Sequence, residues 1–126
     1  MSDDIQLTFD PDEVLRWYDN DHEAIQELIG LVRQDLPRYV QNLESAADAG
    51  DLAQVGRFAH TIKGAVGNVC ALKLCSIAEG LEQAARSGNA ARVNQLRPGF
   101  RDASVALSNG LGAWVQTLKV SGGTAA

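Results

Sequence analysis

The chain has 126 residues, of which 45% are hydrophobic and 21% are charged. This is the length of one domain, and the composition is that of a globular protein rather than a disordered or fibrous one. A formal charge of −5 argues against a protein that binds the nucleic-acid backbone, which would present a basic face. No apolar signal segment follows the acidic start, and no stretch has the length of a membrane span. We therefore expect a cytoplasmic protein that binds neither nucleic acid nor membrane.

Helical patterns occupy almost the whole chain, and no stretch alternates convincingly like a strand. Asp10, followed by Pro11 and two acids, predicts the start of a short first helix. Asn20 or Asp21 can cap a second helix. Its long apolar stripe consists of Ile25, Leu28, Ile29, Val32, Leu36, Tyr39, Val40 and Leu43. Because Pro37 lies inside this stripe and lacks a backbone donor, we expect the helix to kink or break there.

Two glycine-containing corners divide the rest of the chain. Gly50-Asp51 and Gly88-Asn89 each join a glycine that can end one helix to a side chain that can cap the next. They predict a helix over residues 52–69, another over residues 71–87, and a last helix in heptad-like register. The last helix carries Val93, Leu96, Phe100, Ala103, Leu107, Leu111, Trp114 and Leu118, with Pro98-Gly99 interrupting its start.

Four amphipathic helices joined by short turns predict an all-α fold. The expected architecture is an antiparallel up-down-up-down four-helix bundle with the short N-terminal helix as a lid. We expect a monomer. The small, uncapped residues 121–126 predict a disordered tail after a domain of residues 1–120.

His60 is the most informative residue. The apolar side chains of its helix form one stripe at three- and four-residue steps, made of Val55, Phe58, Ala59, Ile62, Val66 and Val69. At about 100° per residue, His60 points roughly 150° away from the centre of this stripe, towards solvent. An exposed imidazole is an available nucleophile.

The helical neighbours of His60 are unusually small. Gly56, Gly64 and Gly67 lie four residues before it, four after it and seven after it. Glycine inside a helix costs roughly 1 kcal/mol relative to alanine, so three of them forgo about 3 kcal/mol. Lys63 is the long side chain that points the same way. This pattern indicates an imidazole with a cation beside it, kept clear so that another macromolecule can approach closely.

The other reactive residue types give no site of their own. Cys70 and Cys75 lie five residues apart, on different faces of a helix, so we expect two reduced thiols rather than a disulfide or a redox pair. His22 and His60 lie far apart in the sequence, and no Glu-x-x-His pair is present. We therefore expect no metal site.

The run from His60 reads HTIKGAVGNVCA, and IAEGLE follows at residues 77–82. This sequence resembles the histidine phosphotransfer (HPt) domains of bacterial phosphorelays. The family pattern has Lys-Gly three and four residues after the histidine, a glycine-containing turn, and a Leu-Glu or Ile-Gln about twenty-two residues on. Cys70 departs from it, because the family commonly has glycine in the turn between these two helices.

The resemblance implies that His60 is the phosphorylated nucleophile. Lys63 would offset charge on the phosphoryl oxygens. Glu82 occupies the family's Glu/Gln position and would hydrogen-bond the other ring nitrogen, which fixes the tautomer. Gly64 would let a partner's active-site loop approach the ring.

Docking roles follow for the remaining residues of this face. Gly56 and Gly67, with Gly64, would keep the surface open to the partner. Arg86, one turn after Glu82 on its helix, would add positive charge near the same face. The resemblance places residues 1–120 in one HPt domain.

The implied function is the relay of a phosphoryl group between receiver domains of response regulators, with a hybrid sensor kinase as a further partner. The chain would be a phosphocarrier without autokinase activity, because it has no glycine-rich nucleotide loop. It would need no cofactor, the Mg²⁺ being on the partner receiver domain. Two alternatives are open: an adaptor that binds receivers without carrying phosphate, and a bundle phosphatase that hydrolyses a receiver's aspartyl phosphate.

Overall fold

The computed structural model describes the backbone of residues 8–125 and the side chains of residues 8–119. Its five helices, in chain order, are α1 (Pro11–Trp17), α2 (His22–Asp48), α3 (Leu52–Gly67), α4 (Leu72–Arg86) and α5 (Ala90–Ala125). No strand occurs within residues 8–125. The all-α class predicted from the sequence is confirmed.

The first two helices begin where side-chain caps are available. Asp10 caps α1 by accepting a hydrogen bond from the backbone N–H of Glu13. Of the two candidates for α2, it is Asp21 that caps the helix, accepting from the N–H of Ala24 at 3.0 Å. Each cap satisfies a backbone donor that the first turn of a helix leaves without a partner.

Of the kink or break predicted at Pro37, the break does not occur, and α2 is one continuous helix through the proline. Leu36 and Leu43 are buried in the core beside and beyond the proline, so packing holds both halves of the helix to the same neighbours. Pro98 is likewise inside α5, between the buried side chains of Val93 and Phe100. Tertiary burial outweighs the hydrogen bond that each proline omits.

The two predicted corners have the expected backbone. Gly50 and Gly88 have φ values of 75° and 73°, in the left-handed region that glycine adopts without a steric penalty. Asp51 accepts a hydrogen bond from the N–H of Gln54, and Asn89 accepts one from the N–H of Arg92. The corners therefore set where α3 and α5 begin.

Cys70 lies in the turn between α3 and α4, where the family commonly has glycine. This residue has a φ of 57°, a left-handed conformation that is costly for most side chains and free for glycine. Its side chain is buried, and its carbonyl accepts a hydrogen bond from the N–H of Asp10. Burial and this contact hold the strained turn between α3 and α4. Cys70 and Cys75 are both free thiols, as predicted.

The four longer helices share one core, to which each contributes its apolar face. Helix α3 packs against α2 and α4, and α5 packs against the same two helices. Helix α1 contacts α2. The largest fully buried side chains are Phe100, Ile25, Ile29, Leu43, Ile62, Leu74, Leu81, Leu107 and Leu111, with Val14, Val55 and Val66.

The C-terminal residues differ from the expected tail. The backbone of residues 121–125 continues α5. Ala126 lies outside the described residues. Within the described part of the chain, no helix is both long and apolar enough to cross a membrane.

Candidate functional site around His60

His60 lies in the middle of α3, on the side away from the core. Its side chain is 66% exposed, whereas Val55, Ala59 and Ile62 on the opposite side of the helix are fully buried. The exposed position predicted from the apolar periodicity is therefore observed. An imidazole in this position is open to contact by another molecule.

Glu82 is the buried centre of the site. Its side chain is only 3% exposed, although it carries a carboxylate. Oε2 lies 3.0 Å from Nδ1 of His60 and 2.5 Å from a guanidinium nitrogen of Arg86, and Oε1 lies 3.1 Å from Nζ of Lys63. The structure thus brings together four residues that the sequence assigned to one site.

The surroundings of Glu82 keep its carboxylate ionised. Burial raises its pKa, but the Lys63 ammonium group, 3.1 Å from Oε1, and the charge of Arg86 outweigh burial, so the pKa of Glu82 lies below its ordinary value. The hydrogen bond to Glu79 and the ion pair with Glu82 raise the pKa of Lys63. The buried carboxylate of Glu82 therefore stays charged because two cations lie beside it.

The ionised carboxylate determines the tautomer of His60. Because a carboxylate only accepts hydrogen bonds, Nδ1 of His60 must carry the proton that it shares with Glu82. In the neutral ring, Nε2 then holds the lone pair. The nitrogen available for reaction is therefore Nε2.

Glu79 is a fifth member of the site that the sequence pattern did not reveal. Its Oε1 lies 2.5 Å from Nζ of Lys63, and its Oε2 accepts a hydrogen bond from Nε2 of Gln83 at 2.8 Å. The hydrogen bond from Lys63 lowers the pKa of Glu79. The available signal was its position three residues before Glu82, which places both carboxylates on one face of α4.

The three glycines do not share one open surface. Gly64 is exposed, and a Cβ placed there would have nothing within 4 Å. Gly67 is half-buried, and a Cβ there would lie 3.8 Å from Sγ of Cys75. Gly56 is buried, 3.6 Å from Cβ of Ala85 by the same measure. The predicted openness at Gly56 is therefore wrong, because helix α4 covers that side of α3.

A shallow groove of about 390 Å³ runs beside His60 between α3 and α4. Its lining comprises Leu52, Ala53, Gly56, Arg57, His60, Thr61, Ala85 and Arg86. Arg57 is not among the site residues predicted from the sequence, although its position three residues before His60 places it on the same face. Gly56 thus contributes to the floor of this groove, and two arginines flank it.

Comparison with known proteins decides the family. Residues 27–116 match the Hpt domain family. The chain belongs to this family. Hpt proteins are phosphocarriers rather than true enzymes. No curated protein matches the chain in sequence.

A solved structure has the same fold as this Hpt protein. The crystal structure of histidine-containing phosphotransfer protein B (HptB) from Pseudomonas aeruginosa PAO1 superimposes with a TM-score of 0.81. The match covers 87% of this chain and 96% of HptB, at 21% sequence identity. At 21% identity this likeness supports the fold alone, and the fold agrees with membership of the Hpt family.

Metal ligands do not cluster in the described part of this Hpt protein. Nowhere within it do three His, Cys, Asp or Glu residues form a group that could hold a metal ion. The carboxylates of Glu79 and Glu82 are engaged instead with Lys63 and Arg86. That the chain needs no cofactor of its own stays a prediction.

The lowered pKa of Glu82 predicts an acid-dependent loss of stability. A carboxylate whose pKa is lower in the folded state stabilises the fold fully above its ordinary value of 4.5. This contribution is lost as the pH falls through the lower folded-state pKa. Urea unfolding between pH 3 and pH 7 should show the loss in the wild type and a flatter profile in Glu82→Gln. Equal profiles for the two proteins would contradict the prediction.

Proposed function

We propose that this chain is a histidine phosphotransfer protein that relays a phosphoryl group between receiver domains through phospho-His60. The observation that carries the proposal is the exposed imidazole whose Nδ1 faces the buried, ionised Glu82, which leaves Nε2 free. The scaffold we infer is an antiparallel up-down-up-down four-helix bundle, with α1 as its short N-terminal lid. Contacts of each long helix with two neighbours support this architecture.

The proposed reaction transfers the phosphoryl group from an aspartyl phosphate of a receiver to His60. The lone pair of Nε2 attacks phosphorus in line, and the bond between phosphorus and the aspartyl oxygen breaks. The receiver carboxylate leaves with the electrons of that bond. The imidazole ring becomes cationic and keeps its proton on Nδ1, so no base has to remove a proton. The reverse reaction passes the group to a second receiver.

Glu82 and its cations would stabilise the product. The carboxylate of Glu82 is already 3.0 Å from Nδ1, where positive charge develops as the N–P bond forms. Lys63 and Arg86, both bound to Glu82, would supply positive charge for the phosphoryl oxygens. Such preorganised charge is the main way in which proteins assist phosphoryl transfer.

The partners we propose are receiver domains of response regulators and a hybrid sensor kinase. The chain would act without autokinase activity and as a monomer. Mg²⁺ is expected on the receiver domain, where it would neutralise charge on the transferred group. That the protein acts in the cytoplasm stays a prediction from the sequence.

Incubation with a phosphorylated receiver domain tests the proposal. We expect label to appear on the chain and to be lost in acid but retained in alkali, as a phosphoramidate requires. Binding of the receiver without label would favour the adaptor alternative. Loss of receiver phosphate without a phospho-His intermediate would favour the phosphatase alternative. Either outcome would reject the carrier proposal.

Gly64 provides a test of close approach by the partner. Gly64→Gln should slow transfer from a receiver, because a long side chain would occupy the open space beside His60. It should also stabilise the isolated fold by up to about 1 kcal/mol, since glycine is a poor helix former. Transfer rate and melting temperature, measured on the same preparation, check both effects.

Gly30→Gln is the matched control. Gly30 is an exposed glycine within α2, and a Cβ placed there would likewise have nothing within 4 Å. This variant should gain similar stability and transfer at the wild-type rate. If Gly64→Gln transfers as fast as Gly30→Gln, steric clearance at Gly64 plays no part in docking.

A further inference from the structure

Lys63 is held by two carboxylates that differ in burial. Its Nζ lies 2.5 Å from Oε1 of Glu79 and 3.1 Å from Oε1 of Glu82. The side chain of Glu79 is 44% exposed, whereas that of Glu82 is 3% exposed. The ammonium group is therefore already engaged on both sides in the unphosphorylated chain.

Charge in this cluster is balanced before transfer. The carboxylates of Glu79 and Glu82 oppose the cations of Lys63 and Arg86 beside the ring of His60. A phosphoryl group on Nε2 adds roughly two negative charges, and the imidazole ring becomes cationic. Glu82 then gains the ring as a partner, and the phosphoryl oxygens compete with Glu79 and Glu82 for the Lys63 ammonium group.

Glu79 is the carboxylate that can release Lys63 at low cost. Water can solvate its exposed carboxylate, and Nε2 of Gln83 continues to donate to Oε2 of Glu79 at 2.8 Å. Glu82 is 3% exposed, so water cannot replace Lys63 beside its carboxylate in the same way. Movement of Lys63 towards a phosphoryl group therefore breaks the contact with Glu79.

We propose that Glu79 is a positioning residue that competes with the phosphoryl group for Lys63 and so limits the stability of phospho-His60. This inference rests on the phosphocarrier function proposed above. Glu79 touches neither the ring nor the transferred group in this role. It acts through the position of the Lys63 ammonium group.

Chemical phosphorylation separates this inference from the relay function. Phosphoramidate phosphorylates an imidazole without a receiver: the N–P bond of the reagent breaks, Nε2 bonds to phosphorus, and ammonia leaves after taking up a proton. The pKa of the phosphoryl group is then measured by ³¹P NMR. A nearby free cation stabilises the dianion and lowers that pKa.

Four variants complete the design: Glu79→Gln, Lys63→Gln, the double variant, and Glu27→Gln as a control of equal charge change. Glu27 is an exposed glutamate of α2 outside the contacts of His60. Glu79→Gln should lower the phosphoryl pKa by about 0.2 to 0.7 unit, as expected for releasing an exposed ion pair. Lys63→Gln should raise it, and in that background Glu79→Gln should have no effect beyond that of Glu27→Gln.

Two results would overturn the inference. Equal pKa values for Glu79→Gln and Glu27→Gln would show that Glu79 has no local role. An equal lowering with and without Lys63 would show direct repulsion between Glu79 and the phosphoryl group instead of competition for the cation. Circular dichroism of each variant excludes a folding defect as the cause.

A receiver domain provides the second readout. At equilibrium with a phosphorylated receiver, Glu79→Gln should carry about 1.5 to 5 times the wild-type ratio of phospho-His60 to free His60. If the wild type accepts phosphate from phosphoramidate but from no receiver, the relay function fails, and the ³¹P measurement still decides the role of Glu79. If a receiver does transfer phosphate but the ratio of phospho-His60 to free His60 is the same in Glu79→Gln and the wild type, the role of Glu79 is contradicted and the relay function is not.

Discussion

Replacement of His60 by glutamine is expected to abolish phosphoryl acceptance and to leave the fold intact. Glutamine has a similar size but offers no nucleophilic nitrogen, because its amide lone pair is delocalised. The side chain of His60 is 66% exposed, and Lys63 and Arg86 remain as partners of Glu82. The loss of stability should therefore stay below about 1 kcal/mol. Transfer of labelled phosphate and thermal unfolding measure the two effects.

His22→Gln is the control for this substitution. His22 is the first residue of α2 and lies outside the contacts of the His60 site. Its replacement should leave transfer unchanged. Label on the His60→Gln variant would mean that another residue carries the phosphate. A large loss of stability in His60→Gln would contradict the small contribution expected of an exposed side chain.

Replacement of Glu82 by glutamine is expected to slow phosphoryl transfer about ten- to hundredfold. The basis is the value of a hydrogen bond to a charged group, roughly 1.5–3 kcal/mol, which the cationic ring of phospho-His60 would lose. The variant keeps the size of the side chain but removes the charge opposite Nδ1. Stability near neutral pH should also fall, since glutamine corresponds to a permanently protonated Glu82. Single-turnover transfer kinetics, recorded well below the unfolding temperature, provide the measurement.

Glu44→Gln separates the loss of transfer from the loss of stability. Glu44 is 15% exposed and pairs with Arg97 and Arg101 between α2 and α5. This substitution also takes a largely buried carboxylate away from two cations. Neither arginine pairs with a residue of the His60 site. It should reduce stability without slowing transfer. A similar slowing in both variants would indicate that reduced stability, rather than the charge beside His60, limits the reaction.

Some features of the His60 site could be predicted from the sequence of α3 alone. The exposure of His60 follows from the apolar period of α3, and Lys63 follows as its neighbour one turn on. The pairing of His60 with Glu82 came from the resemblance to the family, because the two residues belong to different helices. Glu79 and its contact with Lys63, sixteen residues away, depend on how α3 and α4 pack against each other.

Gly56 and Pro37 show the limits of local patterns. The position of Gly56 four residues from His60 suggested an open surface, but the neighbouring Ala85 of α4 covers it. The missing backbone donor of Pro37 suggested a kink or a break, and burial of the residues around it keeps α2 unbroken. In both cases a second helix decides the outcome.

The order of residues along the chain was enough to predict the number and approximate bounds of the helices, the two glycine corners and the outward direction of His60. These features depend on hydrogen bonds and periodicity within one segment, which the order of residues specifies. The packing of α3 against α4 determines that Glu82 is buried, that it is shared by His60, Lys63 and Arg86, and that Glu79 holds Lys63. Those contacts depend on the distance and rotation between two packed helices, which no single segment encodes.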